Sequence, residues 1–289
     1  MNPTASREQN RQHQVNIIEL SYYELKQATN NFHHSNKIGQ GGFGPVYFGK
    51  LRGQNVAVKM FNPHGRQGHF KFEQEALILS SVRHPNIVKL FGLCSESMAL
   101  VYEYLSNGSL ERNLRVLAWQ DRVRIIQEVR SALIYLHFNR PYAIVHSDIK
   151  PANMLLDGHN MSRLGDFGTA RLLRQAGKKN INRMTIPMGT TGYMDPIYLK
   201  TQMLSTQADI YSFGIIILQL LTGRESVFGI TDEVKKWIGN KECPRRIFDE
   251  NAGSWPYVEA KQLLCVALQC CDCDELKRRP SLTSGCWGL

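Results

Sequence analysis

The run from Ile210 to Leu221 carries no charge and is apolar on every helical face, interrupted by little more than Ser212 and Gln219. A helix of that kind has no face to give to water, so it must lie inside a large domain. It is too short to cross a bilayer, which takes about 20 apolar residues. With 289 residues the chain can bury one large core or two small ones. An apolar fraction of 43% is ordinary for a globular protein. Met1 to Asn16 is polar and rich in Gln, Asn and Arg, which reads as a disordered tail (1–16) with no secretory signal.

The rest of the chain divides by pattern. Ser21-Tyr22-Tyr23-Glu24 is a capping box that opens a short helix through Thr29, within a lead-in segment spanning 17–35. Residues 36–104 read as strands with one helix. Val56-Ala57-Val58-Lys59 alternates as a strand, and Phe72, Ala76, Leu79 and Val82 fall at helical spacing between Phe70 and Val82. From 105 to 289 the chain is mostly helical, and Val123, Ile126, Val129, Leu133 and Leu136 mark one amphipathic helix. These patterns predict an α+β protein with a small strand-rich part and a larger helical part.

Composition removes several classes of function. The net charge is +10, but the densest basic patch is only Lys277-Arg278-Arg279. A nucleic-acid binder would show a basic stripe with interleaved aromatics, and none is present. Such a surface suits acidic partners or a membrane face instead. Of the seven cysteines, Cys270, Cys271 and Cys273 cluster without a second Cys/His pair at zinc spacing. Cys265, Cys270 and Cys271 sit in an apolar helical run and read as buried thiols. Their odd number and the absent signal point to a reducing cytosol, where the sequons at Asn107 and Asn160 carry no sugar.

Chemistry concentrates in two stretches. His146-Ser147-Asp148-Ile149-Lys150-Pro151-Ala152-Asn153 places an acid, a lysine and an amide on one loop, and Asp166-Phe167-Gly168 adds a second acid. Asp148 can accept a hydroxyl proton, Lys150 can neutralise charge building on a phosphate, and Asn153 and Asp166 can hold Mg²⁺, which prefers hard oxygen ligands. Upstream, Gly39-Gln40-Gly41-Gly42-Phe43-Gly44 offers backbone amides unobstructed by side chains. A dinucleotide-binding turn would open a helix with an acid about 20 residues on. Here Pro45-Val46-Tyr47-Phe48 continues as a strand, and Lys59 stands in that region.

In this order the motifs resemble those of eukaryotic protein kinases, and the match runs from about Asn36 to about Ser284. Gly189-Thr190-Thr191-Gly192-Tyr193-Met194-Asp195-Pro196 resembles the end of the activation segment, and Asp209-Ile210-Tyr211-Ser212-Phe213-Gly214 the start of the large buried helix. The resemblance implies a bilobal kinase-like fold with its hinge near Tyr104. It implies catalytic roles for Asp148, Lys150, Asn153 and Thr190, with Thr190 hydrogen-bonded to Asp148 and Lys150. The nucleotide set it implies is Ile38, Gly39, Gly41, Gly42, Gly44, Val46, Ala57, Lys59, Glu75, Tyr102, Glu103, Leu105 and Leu155. Within it Lys59 pairs with Glu75, Tyr102 is the gatekeeper and the backbone from Glu103 to Leu105 meets adenine. The implied cofactors are ATP and two Mg²⁺ ions, with Mn²⁺ as a substitute, bound through Asn153 and Asp166. Protein hydroxyls are the implied substrates, an upstream receptor or signalling complex the implied partner, and the cytoplasm or the inner face of the plasma membrane the implied location. Lys150 matches the Ser/Thr pattern. The phrase Ser21 to Phe32 resembles the lead-in of plant receptor-like kinases of the Pelle/IRAK group, and the catalytic loop looks closest to plant kinases fused to U-box domains. No U-box pattern is present, which raises the reading of a fragment of a longer protein.

Three positions depart from that family. Ser147 stands where many kinases have Arg, giving the non-RD type, and implies that activity depends little on phosphorylation at Thr185, Thr190 or Thr191. Ile197 stands where the family's Glu pairs with a late Arg, matched here by Arg279, so Arg279 is expected to lack its partner. The chain stops soon after Arg279, so the last helix is expected to be cut short. The last two departures keep a second reading open, an ATP-binding scaffold with weak turnover. Against it, scaffolds of this fold usually lose the equivalents of Lys59, Asp148 or Asp166, and all three are kept.

Overall fold

The computed structural model describes residues 17–42, 44–62, 66–176, 179–180, 183–239 and 245–287. The expected tail, 1–16, lies outside them, as does Phe43 of the glycine-rich loop. The chain forms two compact units, one of residues 1–83 and 89–104, the other of 84–88 and 105–289. The short segment 84–88 belongs to the second unit because the Val88 amide donates to Leu164 O (3.0 Å) and the Leu164 amide to Asn86 O (2.9 Å).

The first unit contains β1 (Ile18–Glu19), α1 (Tyr22–Ala28), β2 (Lys37–Gly41), β3 (Gly44–Leu51), β4 (Gln54–Met60), α2 (Arg66–Ser81), β5 (Leu90–Cys94) and β6 (Ala99–Glu103). Six strands make one sheet in the order β1-β5-β6-β4-β3-β2. The capping box forms as the sequence predicts: the Glu24 amide donates to Ser21 Oγ (3.2 Å) and the Ser21 amide to Glu24 Oε2 (2.9 Å). The Ser21 amide, and after it the Ser21 hydroxyl, donate to the Glu24 carboxylate and hold it below its ordinary range. The lead-in segment is part of the unit's core. Its strand β1 pairs parallel with β5, and Leu20 and Leu25 pack against Val56, Val58 and Val101. Helix α1 lies so close to β3 that a Cβ at Gly49 would stand 3.0 Å from Ala28 O. The helix α2 starts four residues before the predicted Phe70 and buries Phe72, Ile78 and Leu79.

The second unit contains β7 (Gly108–Ser109), α3 (Leu110–Asn113), α4 (Trp119–His137), β8 (Tyr142–Val145), β9 (Met154–Leu156), β10 (Ser162–Leu164), β11 (Arg171–Ala176), β12 (Lys179–Asn180), β13 (Arg183–Met184), α5 (Pro196–Thr201), β14 (Met203–Leu204), α6 (Thr206–Thr222), α7 (Ile230–Gly239) and α8 (Tyr257–Cys270). Together the units give the expected mixed α+β architecture. Helix α6 carries the apolar run, and every residue from Ile210 to Leu221 is buried. Its N-cap is Ser205, whose Oγ accepts from the Gln207 amide (3.3 Å), and it ends on Gly223 in the left-handed region. On α4, Ile125, Ile126, Val129, Leu133 and Leu136 face the core, while Val123 is only half-buried. Cys270 and Cys271 are buried, and burial pushes both thiols up. Cys265 is half-buried and Cys273 exposed. After α8 the described chain makes only short 3-10 turns, yet it is anchored. Trp287 stacks on Phe213 at 5.7 Å, and Arg130 Nε donates to Leu282 O (2.7 Å).

Candidate functional site

Two constellations of polar side chains stand out, one in each unit. In the first, β3 and β4 run antiparallel with Val46 opposite Lys59 and Phe48 opposite Ala57, so Val46, Ala57 and Lys59 share a face. Lys59 Nζ donates to Glu75 Oε2 at 2.8 Å, with the Lys59 side chain 12% and the Glu75 side chain 1% exposed. A pair this dry is held in one geometry, since the buried carboxylate has no bulk water to turn to. Tyr102 on β6 pairs with Ala57, and the Glu103 amide donates to Lys89 O (3.0 Å). Ile38 and Gly39 lie on β2.

The glycines of the loop do different jobs. Gly44 has φ +149, and a Cβ there would stand 1.9 Å from Met60 O, so it is required by the close approach of the loop to the end of β4. A Cβ at Gly42 would meet nothing within 4 Å. A Cβ at Gly39 or Gly41 would make only ordinary contacts, at 3.7 and 3.8 Å, so these positions and Gly42, unlike Gly44, leave open room.

The second constellation is built on the loop after β8. The carboxylate of Asp209, wholly buried near the start of α6, accepts from the His146 amide (2.9 Å), the Ser147 amide (2.9 Å) and His137 Nε2 (2.8 Å). It therefore pins the loop backbone from below. Ser147 adopts φ 68, and its Oγ is buried with no hydrogen-bond partner among the described residues. His146 Nε2 donates to Gly165 O (2.9 Å) and Nδ1 accepts from the Asp148 amide (3.3 Å), which fixes the tautomer.

Asp148 is 7% exposed. Its Oδ1 accepts from Thr190 Oγ1 (2.6 Å), and its Oδ2 meets Lys150 Nζ (3.0 Å) and Asn153 Nδ2 (3.2 Å). Lys150 Nζ also donates to Thr190 Oγ1 (2.7 Å), closing a triangle. A carboxylate has about four lone-pair sites, and these contacts leave room for one more donor. Asn153 Nδ2 donates to Asp148 O (2.8 Å), so the amide is oriented through its nitrogen and its oxygen is the atom left for a ligand. The Gly165 amide donates to Asn153 O (2.8 Å), which ties the Asn153 loop to the one carrying Asp166. Asp166 sits in the left-handed region (φ 60, ψ 69), a conformation that costs about 1–3 kcal/mol and recurs at functional turns. Asn153 and Asp166 are an oxygen donor set of the kind Mg²⁺ takes. Leu105 and Leu155 belong to this unit, the first buried and the second half-buried.

Arg279 is not the orphan that Ile197 led the sequence to predict. Its Nη1 and Nη2 donate to Asp195 Oδ2 and Oδ1, each at 2.7 Å. Its remaining hydrogens go to Asp272 O (2.9 and 2.7 Å) and Gln207 O (2.9 Å). The replacement works because Asp195 caps α5: the same carboxylate accepts the Ile197 amide (2.9 Å). A carboxylate two residues before the expected one thus reaches the same guanidinium. The sequence signal for this is Asp195-Pro196, an acidic cap followed by proline at a helix start. Close by, burial pushes the Tyr193 hydroxyl up to about 12, so it stays protonated and donates to Gln219 Oε1 (2.9 Å).

Comparison with known proteins agrees with this geometry. The family model for the protein kinase domain matches residues 32–286. The chain is 47% identical over 281 residues to U-box domain-containing protein 70 of Oryza sativa subsp. japonica, covering 94% of this chain and 34% of that one. It is 45% identical over 277 residues to U-box domain-containing protein 33 of Arabidopsis thaliana, covering 94% and 33%. U-box domain-containing protein 57 of Oryza sativa subsp. japonica is 37% identical over 280 residues, with 94% and 51% covered. The chain thus spans about a third to a half of the length of these relatives. No described helix is long and apolar enough to cross a membrane. With the motifs in order, the Lys59–Glu75 pair and the Asp148 triangle in place and the family model covering most of its length, the chain belongs to the protein kinase domain family.

Proposed function

We propose that this chain is a serine/threonine protein kinase that moves the γ-phosphoryl group of ATP to protein hydroxyls. The observation that carries the reading is the triangle of Asp148, Lys150 and Thr190, with contacts of 2.6 to 3.0 Å. Asp148 is oriented by Thr190 and Asn153 and has an acceptor site to spare for a substrate hydroxyl. As that proton moves to Asp148, the hydroxyl oxygen bonds to the γ-phosphorus and the bond to the β–γ bridging oxygen breaks, releasing ADP. Lys150 lies beside the carboxylate and can neutralise charge on the phosphoryl group in flight. The Lys59–Glu75 pair of the first unit supplies a fixed ammonium for nucleotide phosphates. The resemblance assigns Ile38, Gly39, Gly41, Gly42, Gly44, Val46, Ala57, Tyr102 and Glu103 of that unit, and Leu105 and Leu155 of the other, to nucleotide binding. Asn153 and Asp166 would hold Mg²⁺, with Mn²⁺ as a substitute, and the ion would supply charge neutralisation on the phosphates when bound.

The scaffold reading rested on an unpaired Arg279 and a shortened last helix, and the Asp195 pair speaks against the first of these. The names of the relatives suit a kinase unit within a longer U-box protein, working in the cytoplasm or at the inner face of the plasma membrane on signals from an upstream complex. The test is transfer of radiolabel from ATP to a generic basic protein. Asp148→Asn should lower turnover by about 10²–10⁴-fold while leaving nucleotide affinity unchanged. Equal rates for variant and parent would end the kinase assignment.

A further inference from the structure

The lead-in segment does more than extend the sheet. Side chains alternate between the two faces of a sheet. Lys59, Ala57 and Val46 share one face, whereas Tyr47 is opposite Val58 and so lies on the other. Helix α1 covers that second face: Leu20 and Leu25 pack with Val56 and Val58, and Tyr22, Phe32 and Met60 join them. Tyr22 and Phe32 stack at 5.7 Å, and Phe32 meets Tyr47 edge-on at 5.4 Å, which makes a preformed aromatic wall.

A cavity of about 750 Å³ opens against this wall, bounded by Tyr22, Phe32 and Tyr47, by Gly41 and Gly42 of the glycine loop, and by Glu96. Its size is that of a site for a small molecule, about 300–1,000 Å³. Glu96 is the only charged residue among the described lining residues, and it makes no hydrogen bond or ion pair among the described residues. In a chain of net charge +10 that local sign stands out. One ring of the wall already accepts a cation from outside the cavity, since Lys26 Nζ lies 4.7 Å from the centroid of Tyr22. Aromatic faces attract cations and stack on flat rings, and an unpaired carboxylate adds to both.

We propose that this cavity binds a planar aromatic cation, on the face of the sheet opposite Lys59, and so grips the glycine loop from its outer side. Anionic ligands such as phosphates are repelled by Glu96. A bound cation would restrict Gly41 and Gly42 and change nucleotide affinity. That consequence rests on the kinase reading, but occupancy of the cavity does not.

The probe is proflavine, a flat fluorescent diamine, titrated into the full chain without nucleotide and followed by anisotropy. Saturable binding to one site is expected, with Kd on the order of 10–100 µM. Saturating AMP-PNP should shift the probe's Kd by the same factor by which proflavine shifts AMP-PNP affinity, without abolishing its saturable binding. Glu96→Lys, in an exposed turn, should weaken proflavine about ten-fold. Tyr47→Leu, which keeps an apolar side chain but removes the ring, should weaken it several-fold. The anionic dye 1-anilinonaphthalene-8-sulfonate should prefer Glu96→Lys over the parent. Displacement by AMP-PNP, or binding unchanged in both variants, would place the probe elsewhere and overturn the proposal. Proflavine binding in a chain that binds no AMP-PNP would leave this site standing and remove the kinase reading instead.

Discussion

Arg279 and Arg122 are both buried in the helical unit, and each meets one aspartate. Arg279 spends its five N–H groups on Asp195, Asp272 O and Gln207 O, and thereby ties the segment that carries Thr190 to the chain beyond α8. Arg122 meets Asp249 at 2.6 Å and donates to Leu117 O and Leu220 O, both at 2.9 Å. It joins the start of α4 to the end of α6, and among the described residues it makes no hydrogen bond to the loop 146–153. One interaction therefore holds the segment of Thr190 as well as the helical core, and the other the helical core alone. Burial is alike; Arg279 grips both oxygens of Asp195 while Arg122 meets one oxygen of Asp249, and what each pair connects differs as well.

The largest effect is expected for Asp195→Ala. Breaking a buried pair by removing one partner costs about 3–5 kcal/mol, and the loss of the α5 N-cap adds about 1 kcal/mol. The melting temperature should fall by roughly 10 °C or more. Turnover per folded molecule should fall as well, because Asp195 follows Thr190 by only five residues. Calorimetry and initial rates measured well below the melting temperature separate the two. A destabilised variant with parental turnover would show that the pair does not position Thr190.

Asp249→Ala sharpens the contrast. The same rule gives a loss of about 3–5 kcal/mol, since Arg122 would be left buried without its counter-charge. Asp249 also accepts from the Asn251 amide (3.0 Å), so a turn loosens with it. Turnover per folded molecule should stay within about two-fold of the parent, less than 0.5 kcal/mol of barrier. A ten-fold loss would mean that α6 transmits strain from its C-terminus to Asp209 at its start, and the division between the two pairs would fail.

How much of this was legible in the sequence follows from the range of each interaction. The capping box at Ser21 and the strand at Val56–Lys59 are local patterns, readable because periodicity and short spacing decide them. The triangle of Asp148, Lys150 and Thr190 was readable only through resemblance, since Asp148 and Thr190 lie 42 residues apart. The partner of Arg279 is not legible in the sequence, because which of two positions two residues apart supplies the acceptor is a tertiary matter. The cavity beside α1 left no trace in the sequence, because it exists only once the lead-in segment docks on the sheet.

The smallest effect is expected for Ile197→Glu, and it tests the comparison most finely. The sequence alone predicts that restoring this carboxylate repairs an unpaired Arg279 and raises stability. In the structure the guanidinium has no N–H group left unmet, so a new carboxylate gains only by displacing Asp195. That exchange trades one charge-assisted pair for another and gives up the cap on α5. Ile197 is half-buried, so the variant also exposes less apolar surface to packing and places a charge near the carboxylate of Asp195. These terms oppose one another, and the melting temperature should move by no more than about 2 °C, with turnover unchanged. A rise of about 5 °C or more would show that Arg279 still lacks charge compensation with Asp195 in place. Full pairing of the five N–H groups of Arg279 would then not be enough to compensate its charge.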